Sequence, residues 1–102
     1  MGLRHVRDTF GSLERELSEE RAATLRRISS TLESLIARLD ASRERMAHLR
    51  GAERRREVDA YRDLRREAIR YRWYLEVQRE ALGLRHHQYL DDFYPIPNRI
   101  DI

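Results

Sequence analysis

Leu25, Ile28, Leu32, Leu35, Leu39, Met46 and Leu49 recur at alternating steps of three and four, with Ser42 in the one remaining slot. Such a seam winds slowly around one side of a helix and must be buried against a second helix. A second run, Val58, Tyr61, Leu64, Ala68, Tyr71, Leu75, Gln78 and Leu82, repeats the pattern. Between them stands Arg50-Gly51, and Gly is favoured just past a helix end. With Glu53, Glu57 and Asp59 near a second start, the two seams predict an all-α, antiparallel, coiled-coil-like helical hairpin with its turn near 50–53. The competing arrangement is one continuous helix, since an interior Gly costs only about 1 kcal/mol.

The predicted organisation is an N-terminal segment over 1–11, a hairpin over 12–88 and an extended tail over 89–102. Ser12 is the expected N-cap, with Glu14 and Glu16 early in the helix. Leu13 and Leu17 stand one step out of the seam register. Gly83 is expected at the second helix end, and residues 84–91 can add a short helical turn. Pro95 and Pro97 forbid regular helix and push Tyr94 and Ile96 to extended conformations.

The second helix carries a further apolar stripe, Ile69, Trp73, Val77 and Ala81. At 100° per residue Trp73 lies about 160° from Leu75. A two-helix hairpin leaves that stripe in water, so something else must cover it. The tail, with Phe93, Tyr94, Ile96, Ile100 and Ile102, is one candidate cover, in its own chain or swapped onto a neighbour. Its deletion would then expose Trp73. A groove in another protein is the other destination for a proline-bearing segment.

Charge argues mainly against a nucleic-acid protein. All 21 basic residues are arginine and the net charge is +3. Acids precede arginines by three at Glu53–Arg56, Asp59–Arg62, Asp63–Arg66, Glu67–Arg70 and Glu76–Arg79, which neutralises much of the local field. The densest basic stretch, Arg54, Arg55 and Arg56, sits at the hairpin tip and is the candidate phosphate contact.

Little points to chemistry. There is no cysteine, nucleophile motif or Gly-rich phosphate loop, and His5, His48, His86 and His87 fall in no metal-ligand spacing. A long first helix with internal arginines resembles the small helical chorismate mutases, but their lysine has no counterpart in a chain without lysine. In length the hairpin resembles type VII secretion substrates, but its turn, "LRGAERR", lacks their Trp-x-Gly. No catalytic, cofactor or metal residue is assigned, and no membrane span is expected. The default is a cytoplasmic protein.

Seven of eight aromatics lie between Tyr61 and Tyr94. Trp, Tyr and Arg are the residue types that dominate interface energetics. The expected function is a non-enzymatic protein–protein interaction module, an adaptor, structural subunit or chaperone-like hairpin. Its interface would comprise Ile69, Tyr71, Trp73, Tyr74, Val77, Phe93, Tyr94, Pro95 and Ile96. Dimerisation, or packing on a partner, would complete a four-helix bundle. An RNA- or ribosome-associated factor using Arg54, Arg55 and Arg56 is the alternative.

Overall fold

The computed structural model describes residues 2–100, with side chains described from Asp8 onward. About 80% of the chain is helical, in the order α1 (Gly2–Met46), α2 (Gly51–Ala81) and α3 (Leu90–Phe93), with no strand among the described residues. The two long helices pack against each other. Ser42 and Arg45 of α1 meet Glu57 of α2, while Arg43 reaches Tyr61, so the helices run antiparallel from a short turn. The molecule is a rod of 76 × 23 × 15 Å.

Both seams face inward. Leu32, Leu35, Leu39 and Met46 of α1 and Val58, Tyr61, Ala68 and Leu75 of α2 are buried, with Leu25, Ile28, Leu64 and Tyr71 half-buried against them. Ser42, the polar residue in the apolar seam, is also buried. Its hydroxyl donates to Glu57 Oε1 at 2.7 Å, so the seam's one polar slot is satisfied across the interface.

Helix boundaries differ from the sequence expectation in three places. First, α1 begins at Gly2 and runs straight through Gly11 and Ser12. Gly11 costs the helix about 1 kcal/mol, too little to break a run of good helix formers. Ser12 is therefore no N-cap; its Oγ accepts a hydrogen bond from Arg15 one turn on.

Second, the turn occupies 47–50 rather than 50–53. The His48 and Leu49 amides donate to Arg45 and Met46 carbonyls and tighten the end of α1. Gly51, at φ +58°, opens α2 instead of closing α1. A residue with a Cβ would be strained there.

Third, the short helical turn lies at 90–93, later than expected, and the extended segment starts at Tyr94. Gly83, in contrast, closes α2 as expected. At φ +86° it lets its own amide donate to Glu80 O and that of Leu84 to Arg79 O, the Schellman closure.

The tail folds back on the chain, but not over the outer stripe of α2. It lies in the groove between the two long helices. Leu90 is buried, and Tyr94, Ile96 and Ile100 pack on the hairpin core. Asp91 pairs with Arg72 at 2.9 Å, Arg65 Nε donates to Pro97 O at 2.9 Å, and the Tyr61 hydroxyl donates to Asn98 O at 2.6 Å. The physical reason is the shape of the two surfaces. The groove offers apolar walls from two helices, whereas the stripe is one convex face. Prolines also suit the groove, because a chain held extended presents bare carbonyls to Arg65 and Tyr61. Ile102 lies outside the described residues.

Deleting residues 94–102 is therefore expected to leave Trp73 emission unchanged. It should lower stability by a few kcal/mol, as Tyr61 loses a buried partner and the groove is opened to water. Fluorescence and denaturant unfolding check both arms; a red shift of Trp73 would place the tail on the stripe.

Candidate functional site

The outer stripe of α2 is exposed. Ile69, Trp73 and Val77 are 45%, 58% and 39% accessible, and Ala81 is exposed as well. They lie on successive turns of a helix whose opposite side is fixed against α1 by Tyr61, Ala68 and Leu75. Burial of that seam sets the azimuth of α2, so Trp73 is held outward.

The aromatic residues continue this face inward. Trp73 and Tyr74 have ring centroids 5.6 Å apart, and Tyr74 meets Tyr71 edge-on at 5.4 Å. Tyr71 is half-buried and belongs to the core contacts. The three rings thus run from core to surface, and edge-on and tilted pairs of this kind lock side-chain orientation. A rigid, partly exposed Trp costs little conformational entropy to bury on binding.

The other sequence-predicted residues separate into two groups. Tyr94 and Ile96 are used inside the chain, packed on the hairpin. Phe93 and Pro95 remain exposed at the start of the tail, Phe93 more so than any other large apolar side chain among the described residues. The tail shares a groove with Ile69 through Arg99 and Ile100, while Trp73 and Val77 stay exposed.

A second apolar patch is missing from the sequence-predicted site. Phe10, Leu13 and Leu17 on α1 are 60%, 50% and 45% accessible. Phe10 and Leu13 lie on the part of α1 beyond the end of α2, and Leu17 lies at its border. With 45 residues α1 is 14 longer than α2, which has 31, so about 21 Å of helix projects past the end of the hairpin. The signal was present in the spacing. Phe10 and Leu17 stand 18 residues before Ile28 and Leu35, about five helical turns, and so share their azimuth.

Several arginines along α2 are engaged by acids or by the tail. A groove of about 390 Å³ is lined by Tyr61, Arg62, Arg65, Arg66, Ile69, Arg99 and Ile100. There Arg62 faces Asp59 at 3.8 Å, Arg66 pairs with Asp63, and Arg65 holds the tail. Arg72 is held between Glu76 and Asp91. Burial alone would lower its pKa, but the two carboxylates more than offset this and raise it. Arg79 turns to the His86 carbonyl and to His87 Nδ1.

At the hairpin tip Arg55 and Arg56 are exposed. Arg54 is half-buried along a groove with Arg43, Met46, Leu49, Arg50 and Ile100. Among the described residues no three His, Cys, Asp or Glu side chains gather as metal ligands, and no helix is long and apolar enough to cross a membrane.

The clasp near the tip has one perturbed group. The Ser42 hydroxyl donates to Glu57. Desolvation opposes it, Arg45 adds a hydrogen bond and an ion pair at 2.8 Å, and the net result holds the Glu57 carboxyl below its ordinary 4.5. A lowered carboxylate pKa contributes stability that is present above the unfolded-state value and is lost as pH falls through the folded-state value. Wild-type stability should therefore fall on acidification below about pH 4.5, and Glu57→Gln should remove this component. Ser42→Ala should cost about 1 kcal/mol at neutral pH. Denaturant titration across pH checks all three.

Comparison with protein-family models, with characterised proteins and with solved structures finds no match to this chain, so its functional reading rests on this geometry.

Proposed function

We propose that the chain is a non-enzymatic protein–protein interaction module whose docking surface is the outer face of α2, centred on Trp73 with Ile69, Tyr74 and Val77. The observation that carries this reading is the contiguous exposure of these side chains on the side of α2 turned away from its own core. Contiguous exposed apolar residues on a small protein mark interaction sites more than chance placement does. The rim supports it too, since the exposed Arg70 flanks the stripe and can pair with an acid of a partner. Packing a helical partner on this face would extend the hairpin toward a bundle.

The test compares wild-type protein with Trp73→Glu and Val77→Glu as baits. Both substitutions fall on exposed positions and should leave helicity, read by circular dichroism, unchanged. A complex, with another protein or with a second copy of the chain, that both substitutions abolish supports the reading. Complexes that survive both substitutions overturn it.

A second reading uses the tip. Residues 43–57 carry six arginines against three glutamates, and Arg55 and Arg56 face solvent. This makes RNA association through Arg54, Arg55 and Arg56 the alternative. It requires binding to RNA that weakens steeply as salt rises. Absence of binding at low salt removes it.

A further inference from the structure

Among the described residues, two of the exposed apolar patches match each other. Phe10, Leu13 and Leu17 lie on the projecting arm of α1; Ile69, Trp73 and Val77 lie on the outer face of α2. We infer that a second copy of the chain fills each patch: the arm of one copy packs on the outer face of α2 in the other, and reciprocally, in a two-fold dimer. This rests on the reading of the α2 face as a docking surface and names its occupant.

Direction is the first argument. Because Phe10 and Leu17 share the azimuth of Ile28 and Leu35, the arm presents the side on which α1 already holds its own α2. The α2 stripe looks the opposite way, about 160° from the seam. Turn two hairpins antiparallel and slide them until the arms overlap the opposing α2 helices. Each α1 then runs straight on from its own α2 to the outer face of the partner copy's α2. The α2 helices meet end to end near the two-fold axis, where Leu84 and Tyr89 are exposed. No change of helix direction is needed.

Register is the second argument. In that arrangement the arm lies parallel to the α2 it covers. With Leu13 level with Trp73, Leu17 comes level with Val77 and Phe10 falls within one residue of Ile69. Helices packed side by side with matching one-turn steps interlock their side chains.

Charge is the third, and it selects among the possible pairings. Residues 8–20 carry Asp8, Glu14, Glu16, Glu19 and Glu20 against Arg15, a net −4. Residues 68–80, which this register sets against residues 8–20, carry Arg70, Arg72 and Arg79 against Glu76 and Glu80, a net +1. Arm on arm, or α2 face on α2 face, would bring like charges together; arm on face joins opposite ones. The arm also gains a support that it lacks alone, since an isolated stretch of about 15 residues of helix is marginal in water.

The chain has no cysteine, so single substitutions test the register directly. Leu13→Cys and Trp73→Cys chains are prepared separately, checked for unchanged helicity, mixed and mildly oxidised. The expected result is a crosslinked species of twice 12.3 kDa in the mixture and none in either chain alone. Wild-type protein should sediment as a dimer, and Leu13→Glu should halve the sedimenting mass. A crosslink in Trp73→Cys alone means that α2 packs on α2, which overturns this pairing but keeps the docking face. A wild-type monomer at all concentrations overturns the dimer. Trp73-dependent capture of a different protein would then leave the docking face standing, and its absence would remove both.

Discussion

The register of the hairpin is the constraint on which the rest depends, and a polar clasp marks it. Ser42 sits where the α1 seam calls for an apolar residue, and its hydroxyl reaches Glu57 at 2.7 Å while Arg45 closes on the same carboxylate. A register that sets an apolar side chain of α2 opposite Ser42 leaves its buried hydroxyl without a partner, a cost of the order of 1–3 kcal/mol. Apolar seams tolerate such slips better, because one Leu can replace another. A single buried polar position is a recognised way to fix one helix pairing against its neighbours. With the register fixed, the C-terminal end of α2 has a fixed place along α1, and the length of the unpaired α1 arm follows.

The same register builds the groove that takes the tail. Tyr61 is fully buried in the seam, yet its hydroxyl emerges on one side of the hairpin and donates to Asn98 O. Arg43 of α1 and Arg65 of α2 reach the tail from either wall. The tail thus ties the two helices together without belonging to either. This leaves α2 with one side spent on α1, one flank on the tail and its outer face unspent. The functional reading follows from that division of the α2 circumference.

Much of this was legible in the sequence. The two seams named the buried residues, because alternation of three and four admits one burial pattern. Gly83 announced its cap, and the stripe through Trp73 was visible as a second apolar face. The helix start at Ser12 was misread, since a cap signal is local and a helix that continues through it loses little. The tail's destination was left open, and the structure lays it along its own chain's two long helices. Reach and composition allowed it to cover the stripe, but neither encodes that a two-walled groove competes with a convex face. The arm patch was not recognised as a surface because Leu13 and Leu17 break the heptad count, while Phe10 and Leu17 keep the seam azimuth over about five turns.

By itself, the sequence determined that this chain is helical, that two seams pair, and that α2 is apolar on two sides. Periodicity carries these facts, because side-chain direction along a helix is set by residue number alone. Only the tertiary structure decided where α2 ends against α1, which surface the tail takes and which apolar residues stay in water. Those depend on contacts between segments far apart in the chain, such as Ser42 with Glu57 and Tyr61 with Asn98, and no local pattern specifies them.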